Sequence, residues 1–132
     1  MGQLENAELG ENITAPAMVY ISSSDGKMYK AVATDTAKGA QGSLLVSGST
    51  GDNRQVHFGS EAIAWPSPLT AGATYYLSDT AGAITSTAPT NVQVVGFATA
   101  YGLFQQSIAP FASSGGGGVN LSEVKKIAFL GV

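Results

Sequence analysis

Short segments of strand-forming residues, separated at close spacing by turn residues, run from residue 17 to residue 106. The first is Ala17–Ile21, and the pair Asp25-Gly26 follows it. That pair favours a tight hairpin, because both residues tolerate a positive φ. The longest buried strand candidate is 91–100. The pattern predicts an all-β fold, a small sandwich or barrel of short antiparallel strands.

Local signals also predict the individual elements. One helical turn is expected over 34–39, with Thr34 or Asp35 as its N-cap and Gly39 at its end. His57 alternates with Val56 in a strand pattern, so the two side chains are expected on opposite faces. The predicted strands are 17–21, 27–33, 43–47, 54–59, 61–65, 73–78, 83–86, 91–100 and 103–106.

A length of 132 residues fits one domain, and a chain of this size can bury a stable core. We divide it into a partly extended N-terminal arm (1–14), a β domain (15–110), a glycine-rich linker (111–118) and an apolar C-terminal tail (119–132). The four glycines 115–118 have no side chains to pack and are typical of flexible coil.

The tail carries two competing signals. Asn120 and Glu123 have the spacing of a capping box, which favours a helix, whereas 127–130 fits an added strand equally well. The tail either folds onto its own domain or docks on a neighbouring subunit or partner. Its apolar side chains are the candidate assembly interface: Leu121, Val124, Ile127, Phe129 and Leu130.

Charge is sparse, since charged residues make up 11% of the chain against about 25% in a typical domain. A freely soluble monomer usually carries more surface charge, so part of the surface is expected to be covered by other subunits. The alternative is a neutral β protein coated with Ser and Thr. The net charge of −3 argues against a nucleic-acid partner, which requires a clustered basic face.

Neither targeting nor membrane signals are found in the sequence. Residues 1–11 are polar and acidic, without the apolar region of a secretory signal. No apolar run approaches the roughly 18 residues of a membrane span, so we expect cytoplasmic synthesis and no membrane partner.

Residues that carry chemistry are few. With no cysteine in the chain, disulfides and thiolate metal sites are excluded. His57 is the only histidine, no Gly-x-Ser-x-Gly elbow accompanies it, and no His/Asp/Glu cluster has ligand spacing. Glu61 and Asp79 form an acid pair only in the sense that any two carboxylates do. We therefore predict no catalytic residue, no metal, no cofactor and no enzymatic activity.

Two longer stretches carry a family resemblance. They are LTAGATYYLSDTAGAIT (69–85) and APTNVQVVGFA (88–98), and DGKMYKA (25–31) fits the same pattern upstream. Together they resemble a small β domain of tailed-bacteriophage virion proteins, which occurs in head decoration (cement) proteins and in head- or tail-fibre proteins. The resemblance covers roughly residues 12–106, and none of its motifs is catalytic.

The resemblance implies a component of the virion surface, commonly a homotrimer. Because the chain is short and has no fibre shaft, it favours a decoration protein that binds the major capsid protein on the outside of the assembled head and stabilises it. Such a protein is made in the host cytoplasm and ends on the capsid surface. The alternative is a fibre module that binds a host receptor or glycan, with Trp65, Pro66 and Pro68 as an exposed patch.

Overall fold

A computed structural model of the protein describes residues 4–66, 69–100 and 103–112. Within these ranges ten short strands form two five-stranded antiparallel sheets, and a three-residue 3₁₀ helix, Thr36–Lys38, is the one helical element. The predicted all-β class is confirmed. The strands are β1 (Leu4–Glu8), β2 (Ala17–Ile21), β3 (Met28–Lys30), β4 (Gly42–Leu44), β5 (Asn53–His57), β6 (Ala62–Ile63), β7 (Thr74–Leu77), β8 (Ile84–Thr85), β9 (Val94–Ala98) and β10 (Phe104–Gln106).

Each sheet is built from one half of the described chain. The first sheet has the order β1-β5-β4-β2-β3, and the second has the order β6-β10-β9-β7-β8. Every predicted strand segment overlaps one of β2 to β10, although most of the strands are shorter than predicted. β1 has no such counterpart, because its residues fall in the segment interpreted as an extended arm.

The first sheet is buried on both faces where β2 crosses it. Met18 points into the intersheet core, and its neighbours Ala17 and Val19 point to the opposite side. This explains why β2 reads as a continuous apolar run rather than as an alternation. The intersheet core contains Met18, Ala31, Ala33, Ala40, Ile63, Tyr75, Leu77, Val95, Ala98 and Phe104. The outer core contains Leu9, Ile13, Ala17, Val19, Met28, Leu44 and Val56.

The segment after β1 covers the outer core and is held by the backbone. Ile13 and Gly48 exchange two backbone hydrogen bonds of 3.0 Å. The Glu11 carboxylate accepts a hydrogen bond from the Lys30 amide at 2.7 Å. A Cβ added at Gly10 would overlap the Tyr29 ring, so the absence of a side chain at this position permits the close approach. The segment 9–14 is therefore an integral layer of the domain.

Asp25 organises the hairpin between β2 and β3, where Gly26 adopts a φ of +72°. Its carboxylate accepts hydrogen bonds from the Tyr29 hydroxyl at 2.6 Å and from the Lys27 amide at 3.0 Å. These two bonds, the tyrosine one first, lower the pKa of Asp25, and the same bond to Asp25 raises the pKa of Tyr29. The helical turn predicted over 34–39 is also confirmed, as the 3₁₀ helix Thr36–Lys38. Asp35 is its N-cap, since its carboxylate accepts a hydrogen bond from the Ala37 amide at 2.9 Å.

A buried glutamine ties the two halves of the chain together. The Gln93 side chain accepts a hydrogen bond from the Ala40 amide at 2.8 Å and donates to the Ala40 carbonyl at 3.0 Å. It also donates to the Ala109 carbonyl at 2.9 Å. Backbone bonds add to this junction, including Gly82 to Ala31 at 2.7 Å. The sheets are thus joined by directional bonds as well as by apolar packing.

Candidate assembly surface

The outer face of the second sheet is a continuous surface without charge. The ladder places Phe97 directly opposite Thr74 on one side and Gln105 on the other, and it places Tyr76 opposite both Thr85 and Val94. The intervening residues, such as Leu77 and Phe104, point into the intersheet core. We name the surface formed by Ala62, Thr74, Tyr76, Thr85, Val94, Phe97 and Gln105 the neutral face.

Phe97 is the most conspicuous residue of the neutral face. It is 44% exposed and, with Val46 at 62%, is one of two large apolar side chains that stand out from the described surface. From Ala62 to Ser122 the sequence contains one charged residue, Asp79, which lies in the turn between β7 and β8. Covering the neutral face would therefore require no desolvation of a charge, the costly step in burying a polar surface. Cores of protein interfaces are depleted of charge in the same way and enriched in aromatic residues.

The charged side chains of the described residues lie almost entirely in the half of the chain that builds the first sheet. Lys27 lies 3.5 Å from Glu8, and Arg54 lies 3.3 Å from Asp52. All four side chains are partly exposed, and such pairs contribute about 0–1 kcal/mol each. They leave the first-sheet side charged and hydrated, in contrast to the neutral face.

The structure places the single histidine next to an acidic and a hydroxyl side chain, which the sequence did not predict. His57 points away from Val56, as predicted, and its Nδ1 lies 2.9 Å from Glu61 Oε2 without the alignment of a hydrogen bond. Ser43 lies directly opposite His57 on β4. The Ser43 hydroxyl is fully buried and bonds to no described group. Serine, histidine and acid are thus neighbours, but the contact between nucleophile and base that acyl-transfer chemistry needs is not made.

The described residues were also searched for metal-binding groups and membrane-spanning helices. No three or more His, Asp and Glu side chains in these ranges converge in a way that could hold a metal ion. Among the same residues, no helix has the length and apolar character to cross a bilayer.

Trp65 lies at the junction of the two sheets rather than as a free surface patch. It is half-buried and packs edge-on against Phe104, with ring centroids 5.3 Å apart. Trp65 also lines a cleft of about 270 Å³ together with Asn12, Thr14 and Lys30. The Lys30 ammonium has no ion-pair partner among the described residues.

The predicted interface residues Leu121, Val124, Ile127, Phe129 and Leu130 lie outside the described residues, as do Pro68 and the four-glycine run. The described chain ends at Ala112, whose amide donates to the Val92 carbonyl at 2.7 Å. Phe111, the first residue of the predicted linker, packs on the intersheet core.

Comparison with known proteins adds no family assignment: no protein-family model and no curated protein matches the chain.

Proposed function

We propose that the protein is a bacteriophage capsid decoration (cement) protein, which binds the outer surface of the assembled head and stabilises it without catalysis. The neutral face is the observation that carries the proposal. It offers a broad, uncharged sheet surface centred on Phe97. A docking role explains why one half of the chain has almost no charge, and the resemblance to virion β domains indicates the partner, the major capsid protein.

The proposed stabilisation works by mass action. A protein that binds the assembled lattice, but not free or unfolded capsid subunits, shifts the equilibrium toward the assembled shell. In this account Phe97 and Tyr76 are the aromatic anchors of the contact. Anchors of this kind usually carry most of the free energy of an interface.

We further propose that the protein acts as a homotrimer at positions of local three-fold symmetry, where each subunit can dock in the same way. The tail residues Leu121, Val124, Ile127, Phe129 and Leu130 are its assembly arms. Several weak contacts held in one oligomer add through their effective concentration. The site of action is the capsid surface of the virion, after synthesis in the host cytoplasm.

The test replaces Phe97 with glutamate. We expect the F97E variant to bind heads assembled without this protein at least about 30-fold more weakly than the wild type, equivalent to an anchor contribution of about 2 kcal/mol. Co-sedimentation of purified heads with the protein measures the binding. Thermal disruption of the same heads shows whether the variant still protects them.

Val46→Glu is the matched control, because Val46 is also a large exposed apolar residue but lies outside the neutral face. Both variants should unfold at nearly the wild-type temperature, since neither side chain is in a core. Equal binding by F97E, V46E and the wild type would exclude the neutral face as the docking surface.

The second candidate function is a fibre-type module that binds an acidic glycan. The observation in its favour is the cleft that brings Trp65 next to the unpaired Lys30 ammonium, since an aromatic ring and a cation together suit a negatively charged sugar. Host surface polysaccharide should then shift Trp65 fluorescence in the wild type, and Lys30→Gln should weaken that shift. A spectrum unchanged by the polysaccharide removes this candidate.

A further inference from the structure

The hairpin between β2 and β3 contains the one Asp or Asn residue of the sequence that is followed by glycine, Asp25. Such a pair is chemically labile, because glycine has no Cβ to crowd its amide nitrogen, which can attack the neighbouring side-chain carboxyl group. Asp25 and Gly26 are both exposed, and a Cβ added at Gly26 would have no atom beyond its chain neighbours within 4 Å. The surrounding protein therefore presents no steric barrier to this reaction.

The reaction needs no reagent other than water. The Gly26 nitrogen forms a bond to Cγ of the protonated Asp25 carboxyl group, and the amide proton leaves with the carboxyl hydroxyl as water, which closes a succinimide ring. Water then opens the ring at one of its two carbonyl carbons. Attack at Cγ restores aspartate, whereas attack at the main-chain carbonyl carbon of Asp25 leaves an isoaspartyl residue, through which the main chain is one carbon longer.

The fold holds both reacting groups by hydrogen bonds. One oxygen of the Asp25 carboxylate accepts from the Tyr29 hydroxyl at 2.6 Å, and the other accepts from the Lys27 amide at 3.0 Å. The Gly26 amide donates to the Ser22 carbonyl at 2.8 Å, so its proton is engaged. Bonds of this kind favour the charged carboxylate, and the Tyr29 bond, followed by the Lys27 bond, lowers the pKa of Asp25. Because the ring closes from the protonated carboxyl group, these contacts oppose it.

Two neighbours hold the Tyr29 ring, so its hydroxyl stays beside the carboxylate. Tyr29 lies directly opposite Tyr20 in the ladder, and the two rings stack with centroids 5.9 Å apart. Gly10 approaches the same ring so closely that a side chain at this position would overlap it. A ring that packing has already immobilised loses little further entropy when its hydroxyl makes a hydrogen bond.

We propose that Asp25-Gly26 is a site of spontaneous isomerisation to isoaspartate, and that the Tyr29 hydroxyl is the positioning group that suppresses it in the folded protein. The inference goes beyond the proposed function, because it concerns the hairpin itself and holds whether or not a shell is bound. An isoaspartyl residue would lengthen the turn directly before β3, whose Met28 belongs to the outer core. The Tyr29 bond thus preserves the register between β2 and β3.

The test ages the full chain and two tyrosine variants in native buffer, below the unfolding temperature of all three. Tyr29→Phe keeps the stacked ring and removes the hydroxyl. Tyr20→Phe is the matched control, because it changes the partner ring of the same stack, whose hydroxyl makes no hydrogen bond with the described residues. Peptide mapping combined with labelling by an isoaspartyl methyltransferase measures isoaspartate at position 25.

Isoaspartate should form at least about fivefold faster in Y29F than in the wild type, a factor that one hydrogen bond to a charged group can supply. Y20F should match the wild type. In concentrated guanidinium chloride all three chains should isomerise at one common rate, at least about tenfold above that of the folded wild type, because every one of these hydrogen bonds is then lost. Equal rates for folded Y29F and folded wild type would overturn the role of Tyr29. A denatured chain without isoaspartate at position 25 would show that the pair is not labile.

Hydrogen exchange separates this positioning role from a general loosening of the hairpin. The Gly26 amide is bonded to Ser22 and not to Tyr29, so its exchange rate in Y29F should stay close to the wild-type rate while isoaspartate formation rises. An equal rise in both rates would mean that Tyr29 only keeps the hairpin closed, and this result would contradict the proposal.

Discussion

Replacing Phe104 with alanine is expected to lower the free energy of unfolding by about 3–5 kcal/mol, the range observed when a buried aromatic side chain leaves a cavity. Phe104 is fully buried in the intersheet core. Its ring supports Trp65 at 5.3 Å and lies beneath Gly96, where an added Cβ would come within 2.7 Å of it. Because Trp65 and Gly96 both pack directly against this ring, little relaxation is available to fill the cavity. Equilibrium urea unfolding measures the loss.

Phe97→Ala is the matched control for F104A. The two phenylalanines lie on adjacent strands, β9 and β10, but Phe97 points outward and is 44% exposed. The control should lose no more than about 1 kcal/mol, as is usual for surface positions. Trp65 fluorescence of the folded protein should shift in F104A and stay constant in F97A. Similar losses in both variants would mean that the intersheet core does not dominate stability.

The second large effect is expected from Gln93→Leu. Leucine has a similar volume but removes all three hydrogen bonds of the Gln93 side chain, which leaves the amide and carbonyl of Ala40 and the carbonyl of Ala109 without these partners. Each buried polar group that loses its partner costs about 1–3 kcal/mol, so the total should reach at least about 3 kcal/mol. Urea unfolding measures this loss, and faster exchange of the Ala40 amide should accompany it.

Gln55→Leu controls for the change in chemistry alone, since Gln55 is an exposed β5 residue whose side chain makes no hydrogen bond with the described residues. Its effect should stay within about 0.5 kcal/mol. If Q93L proves as stable as Q55L, apolar packing alone holds the two sheets together.

The sequence predicts the strands better than it predicts their partners. Local alternation and turn residues place β2 to β10, because both signals lie within a few residues of each strand. Sheet order depends on pairings between residues that are distant in sequence. The sequence did not predict β1, because residues 4–8 form a strand only through their pairing with β5. The buried Gln93 has no local signal either, since its partners Ala40 and Ala109 lie far from it along the chain.

The residues that form the neutral face could not be predicted from the sequence either, for a geometrical reason. Its residues come from five strands, and a register shift between Tyr75 and Tyr76 changes which residues of β9 face outward. A bulge of this kind moves side chains from one face of a sheet to the other. The scarcity of charge predicts a covered surface, but the strand register is needed to identify which uncharged side chains share one face. The assembly role of Leu121, Val124, Ile127, Phe129 and Leu130 stays a prediction.

The division of the chain into two sequential sheets has a consequence for how the protein is made. Every residue of the outer core, from Leu9 to Val56, precedes the first strand of the second sheet. A chain emerging from the ribosome therefore carries one whole apolar cluster before any of the second sheet has been translated. The intersheet core, in contrast, must wait for Phe104. The half that bears most of the described charges is therefore synthesised first, and its charges are available to keep the nascent chain hydrated while the neutral half is translated.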